Sequence, residues 1–157
     1  MDIVTSERRS QIMRAIRSKG MKPEIDVRRM VHRLGFRYRL HRSGLPGRPD
    51  LVFASRRKVI FVHGCFWHQH ESRRCPDSHR PKSRREYWEG KLERNRARDK
   101  RNILDLKRMG WQVLVIWECQ LKNPDRVRAR VLRFLSGGDP GTRVSKRYRR
   151  LSRGSAG

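Results

Sequence analysis

Apolar and polar positions alternate along the chain in patches that predict both helices and strands. From Met1 to Ser18 the apolar residues Ile12, Met13 and Ile16 stand among Arg, Ser and Gln, predicting a short helix with a thin apolar edge. SKGMKP then interrupts the pattern, and Pro23 suits the first turn of a second helix, where its missing N–H costs nothing. Val27, Met30, Val31 and Leu34 recur at helical spacing, and Gly35 can close that helix. FRYRL (36–40) alternates as a half-exposed strand does. After the turn-rich SGLPGRP (43–49), DLVFA (50–54) and KVIFV (58–62) read as a hairpin of buried strands. A helix is expected from Arg84 to Met109, ended by Gly110, then a buried strand QVLVIW (112–117) and a helix Pro124–Leu135 capped by Asn123. The order α-α-β-β-β-α-β-α predicts an α/β protein with one central mixed β-sheet flanked by helices.

The chain's 157 residues suit one domain, assigned to 1–136, with helix 5–17 as a contacting arm. GGDPGTRVSKRYRRLSRGSAG (137–157) has no apolar face and reads as a disordered or solvated basic tail. There are no internal repeats.

Charge sharpens this picture. Forty-one Lys and Arg oppose fifteen Asp and Glu, giving a net charge of +26 and a pI near 11.7. A field of that sign selects polyanions, nucleic acid first, but does not separate an enzyme from a binding protein. Three cysteines lying among histidines argue against a secreted disulfide framework. No leader-like apolar segment opens the chain and no stretch reaches membrane-spanning length, so a reducing, cytoplasmic setting without membrane contact is expected.

Two features carry chemistry. Within 84–109 the stripe Trp88, Leu92, Ile103, Leu106 is completed by Asn95 and Asp99, two polar residues aimed toward the core. An inward carboxylate requires a cation or strong donors: an arginine would satisfy it, and so would a polar centre at the sheet edge. The second feature is HGCFWHQH (63–70), directly after VIFV. Cys65, His70 and Cys75 share one loop and Cys119 ends the strand 112–117, a Cys3His set of the kind that holds structural zinc; His79 competes with His70 as the nitrogen ligand, and inert buried cysteine is the plainer alternative. This stretch opens a polar, His- and Arg-rich loop over 63–83. In an extended stretch alternation would send 63, 65 and 67 to one side and 66, 68 and 70 to the other, an order that a loop need not obey. The zinc set leaves His63 and His68 without a structural task, and a histidine beside Asp99 has the makings of a general base, with phosphate contact the rival role for His63.

LPGRPDLVF, VIFVHGCFWHQH, REYWEGKLERNRARDKRN and GWQVLVIWEC, with MRAIRSKGMKPE before them, resemble the very short patch repair (Vsr) endonucleases from about Ser10 to Cys119. The resemblance implies a fold like that of type II restriction endonucleases. It implies Mg2+-dependent nicking of one strand, 5′ to the thymine of a T:G mismatch in double-stranded DNA. It assigns Asp50 and the Val62 carbonyl to magnesium, with two ions, and His68 to the activation of water. Asp99 and Asn95 support the site, and His63 and Glu24 lie near it. Zinc falls to Cys65, His70, Cys75 and Cys119, although ESRR lengthens the usual spacing before Cys75. Phe66 and Trp67, two exposed aromatics, would wedge between base pairs, with Met13 entering from the opposite groove. The family works beside a DNA cytosine-5 methyltransferase, with a repair polymerase and ligase downstream, and a monomer is expected. A zinc-stabilised DNA- or RNA-binding module without chemistry is the alternative of another class, and a nuclease of the same fold with a different substrate is a third.

Overall fold

A computed structural model describes residues 5–40, 42, 44–70, 75 and 82–137, and of residues 9 and 12–21 it describes the backbone alone. The elements are α1 (Ser6–Arg33), β1 (Arg39–Leu40), β2 (Leu51–Phe53), β3 (Lys58–His63), α2 (Arg85–Arg108), β4 (Gln112–Trp117) and α3 (Pro124–Ser136). One sheet runs in the order β1-β2-β3-β4. The first two pairings are antiparallel, whereas β3 and β4 are parallel, in register from Lys58↔Gln112 to His63↔Trp117. A parallel pair needs a long crossover, and the segment containing α2 supplies it.

Alternation along the strands sorts their side chains to two faces. Leu51, Phe53, Ile60 and Ile116 pack beneath Val27 and Val31 of α1 and Val127, Val131 and Leu135 of α3. Val52, Val59 and Phe61 face the other way, against Leu45, Leu106 of α2 and Trp111. Helices therefore cover both faces, which is why KVIFV and QVLVIW read as continuous apolar runs. The α2 helix ends on Gly110 at φ +87°, a left-handed position suited to glycine. Asn123 caps α3, its side chain accepting from the Arg126 N–H. Lys58 is 4% exposed, and its Nζ donates to the Phe134 and Gly137 carbonyls at the C-terminal end of α3, where the helix dipole favours a cation.

Three elements differ from expectation. The first two helices are one, because α1 runs through Pro23 without ending. A proline removes one N–H bond and crowds the preceding turn, yet the helix continues through Pro23, which is itself buried. The strand expected over 36–40 pairs only at Arg39–Leu40, since Phe36 still bonds back to the Val31 carbonyl. The α3 helix extends to Ser136, whose hydroxyl donates to the Leu132 carbonyl. The tail beyond Gly137 lies outside the described residues. Among those described, no helix is long and apolar enough to cross a membrane.

Candidate active site and metal cluster

The polar centre forms where β2 begins and β3 ends. Leu51 pairs with Ile60, so Asp50, one residue before β2, reaches across to β3 with its side chain. Its Oδ2 accepts from the Val62 N–H at 2.7 Å, extending the ladder by a carboxylate. The loop leading there is tightly held: Leu45 and Pro49 are buried, Gly47 and Arg48 have φ of +75° and +46°, and the Arg48 N–H donates to the Leu45 carbonyl at 3.2 Å.

After His63 the chain turns instead of continuing as a strand. The His68 N–H donates to the Gly64 carbonyl and the His70 N–H to the Cys65 carbonyl, each at 3.1 Å. The turn folds His68 back upon His63, with ring centroids 3.9 Å apart and planes within 5°. Residues five apart thus meet, which strand alternation could not produce. From α2, Asp99 brings Oδ2 to 2.5 Å from His68 Nδ1, and the Asn95 amide donates to the Trp67 carbonyl at 3.4 Å. The two polar interruptions of the α2 stripe are therefore directed at this loop. A carboxylate accepting from Nδ1–H leaves Nε2 as the basic nitrogen. His63 is 5% exposed; burial first, and then His68 beside it, push its pKa down to about 3 against an opposing pull from Asp99, so it is neutral.

An open cleft of about 490 Å³ has Asp50, Val62, His63, His68 and Asp99 in its wall. It also exposes Arg48 and Arg98, which sequence reasoning passed over. Their signals were adjacency alone: Arg48 lies two residues before Asp50, and Arg98 directly precedes Asp99. Glu24 forms an ion pair with Arg28 on α1 and is not among the residues lining this cleft.

Beside the cleft, Cys65, His70, Cys75 and Cys119 bring their ligand atoms within 4.8 Å of one another, a group that could hold a metal ion. His70 Nδ1 lies 3.3 Å from Cys119 Sγ and 3.8 Å from Cys65 Sγ. Tetrahedral bonds of about 2.3 Å to sulfur and about 2.0 Å to nitrogen imply S···N edges of about 3.5 Å, between those two values. Burial pushes the Cys65 thiol up and the His70 imidazole down, so without a cation these two stay neutral; a bound cation reverses that preference for the thiol. His70 stacks on Trp117 with centroids 4.3 Å apart, which fixes its ring. Cys75 takes part despite the longer spacing before it. His79 lies outside the described residues.

Phe66 and Trp67 are half-buried rather than exposed. They pack edge-on to each other at 5.1 Å, and both touch Trp88 near the start of α2, at 5.6 and 6.1 Å. Lys91 Nζ sits over the same group, 5.3 Å from the Trp67 ring. The pair is thereby an aromatic ledge backed by a helix. The side chain of Met13 lies outside the described residues.

A carboxylate, a histidine–carboxylate pair and free-facing guanidinium groups in one open cleft, on a chain of this charge, equip an enzyme for hydrolysis of nucleic acid. Comparison with known proteins agrees. A family model described as DNA mismatch endonuclease Vsr matches residues 1–74. The chain is 48% identical over 134 residues to the type II nicking enzyme V.XorIIP of Xanthomonas oryzae pv. oryzae, covering 85% of this chain and 96% of that protein. It is 41% identical over 134 residues to V.NmeAIP of Neisseria meningitidis, covering 85% and 94%. It is 38% identical over 126 residues to the DNA mismatch endonuclease Vsr of Escherichia coli, covering 80% and 79%. The chain belongs to the Vsr DNA mismatch endonuclease family and is a DNA nicking endonuclease.

Proposed function

We propose that this protein nicks one strand of a T:G-mismatched duplex 5′ to the thymine, leaving a 3′-hydroxyl and a 5′-phosphate. The observation that carries the reading is the convergence of Asp50, from the start of β2, with the His68–Asp99 pair in one cleft. His68 Nε2 takes the proton of the attacking water, and Asp99 holds Nδ1–H and balances the imidazolium that forms. Asn95 anchors the loop bearing His68, and His63 supports the imidazole by stacking. Asp50 and the Val62 carbonyl are hard oxygen donors suited to magnesium, taken here as two ions. When bound, that metal supplies charge neutralisation at the phosphate oxygens. Glu24 is assigned an indirect role through α1. Cys65, His70, Cys75 and Cys119 match the tetrahedral preference of zinc, which would stiffen the loop carrying His68.

The mismatch reading draws on the resemblance and on the name of the Escherichia coli relative. Phe66 and Trp67 would enter the stack at the mismatch, where unstacking costs least, with Met13 from the other groove. T:G arises by deamination of 5-methylcytosine, so a cytosine-5 methyltransferase creates the substrate, and a polymerase and ligase consume the nick. The fold is read as restriction-endonuclease-like, with residues 1–136 as the nuclease domain of a cytoplasmic monomer and 137–157 as a basic tail.

The test compares T:G, T:A and C:G duplexes of one length with purified full chain in Mg2+. The expected result is nicking of the thymine strand of T:G alone, reduced at least about a thousandfold by Asp50→Ala at unchanged melting temperature. Equal cutting of T:A would refute the mismatch reading in favour of a nickase for paired DNA, and an active Asp50→Ala would refute the metal assignment.

A further inference from the structure

We propose that Arg48 and Arg98 together grip the scissile phosphate, and that the left-handed backbone of Arg48 exists to present its guanidinium there. The inference rests on the cleft being the nicking site. Both residues line the cleft that holds Asp50, His68 and Asp99, and among the described residues no lysine lines it. Cations beside two carboxylates would ordinarily pair with them. Here Asp50 accepts from the Val62 N–H and Asp99 from His68, while among the described residues neither Arg48 nor Arg98 forms a side-chain ion pair. Two guanidinium groups are thus left facing a cleft, available to an incoming anion.

The backbone supplies the second observation. Arg48 has φ +46°, a region glycine occupies freely and arginine does not. Its neighbour Gly47 already has φ +75°, and a Cβ there would come within 3.0 Å of the Asn102 side chain on α2. The loop is therefore pressed against α2, between the buried Leu45 and Pro49. Asn102 lies one turn beyond Arg98 on the same helical face, and it lines the cleft together with Arg48 and Arg98. A glycine at 48 would relieve the backbone, and the arginine's persistence in a strained conformation within a cleft points to use of its side chain. The guanidinium fork fits two oxygens of a phosphate, and fixed donors aimed at oxygens gaining charge stabilise the transition state more than the ground state. Arg57 and Arg84 also have positive φ, at 52° and 54°, but neither is among the residues lining this cleft.

The experiment uses full-length protein with its metals and the variants Arg48→Gly, Arg48→Lys and Arg98→Ala, with Arg128→Ala on the outer face of α3 as a charge control. Single-turnover nicking at saturating enzyme is measured beside DNA affinity with Ca2+ in place of Mg2+. Arg48→Gly and Arg98→Ala should each slow nicking about a hundred- to a thousandfold, with affinity weakened less than about tenfold. Arg48→Lys should recover little of the rate, since a point charge replaces a fork. Arg48→Gly should melt no lower than wild type, and Arg128→Ala should nick at the wild-type rate. Nicking by Arg48→Gly or Arg98→Ala within threefold of wild type, or a loss abolished by raising protein concentration, would overturn the grip. Failure of wild type on T:G would instead sink the mismatch reading, and the variants are then scored on whichever duplex wild type cuts.

Discussion

Asp99→Asn probes the His68–Asp99 pair with almost no change in volume. The carboxylate Oδ2 and His68 Nδ1 are 2.5 Å apart, with side chains 16% and 25% exposed. When His68 takes a proton from water it becomes a cation beside this anion. Unit charges about 4 Å apart attract by about 4 kcal/mol at an effective dielectric of 20, and partial exposure reduces that to about 2–4 kcal/mol. The amide forfeits the charge term, and if its NH2 donates to Nδ1 it also turns the imidazole to the tautomer with a proton on Nε2. At 1.36 kcal/mol per tenfold, the expected loss in single-turnover nicking is about 30- to 1,000-fold. The amide fills the same volume and can keep a hydrogen bond to Nδ1, so the melting temperature should move by under about 5 °C. DNA affinity in Ca2+ should be unchanged. A rate within threefold of wild type at an unaltered melting temperature would refute the role of Asp99. A loss appearing only in affinity would move Asp99 from the chemistry to DNA binding.

Three further outcomes are expected. Elemental analysis of the purified chain should find one zinc, and its removal by a chelator, or Cys119→Ser, should lower the melting temperature by at least about 10 °C; chelation without effect on melting would refute the zinc assignment. Lys58→Met should leave the Phe134 and Gly137 carbonyls unpaired at the end of α3, costing about 2–3 kcal/mol and about 8 °C of melting temperature; nicking measured at low temperature should stay at the wild-type rate, and a rate collapse in folded protein would make Lys58 part of the chemistry. Gly47→Ala should cost about 1–3 kcal/mol through its φ of +75° and the Asn102 contact at 3.0 Å; adding Asn102→Ala should restore the steric part but not the backbone part, read by denaturant unfolding, and no destabilisation in the single variant would contradict the loop geometry.

Legibility in the sequence followed the range of the forces involved. KVIFV, QVLVIW and the Asn123-capped helix were readable because burial on two faces and a local cap each leave a pattern within a few residues. The α2 stripe was readable by its fault, since Asn95 and Asp99 at core spacing require a partner, and that partner is the 63–70 loop. Other features depend on distant contacts and leave no local mark. Pro23 reads as a helix start, yet α1 continues through it. Phe66 and Trp67 look exposed until Trp88 meets them, and two arginines among forty-one basic residues carry no sign of the cleft.

The HGCFWHQH stretch reads as the start of a polar loop, and the turn it takes there links the two polar centres. Alternation separates 63 from 68 and 65 from 70, whereas a turn stacks His63 on His68 and sets Cys65 Sγ 3.8 Å from His70 Nδ1. One turn thus delivers His68 to Asp99 and His70 to the cysteines, so neither placement can change without the other. In the zinc-bound reading, a thiolate cluster clamps both ends of the segment on which His68 rides. Metal loss should therefore reduce the saturating rate of nicking, and not merely stability, because orientation of the base is lost before the sheet melts.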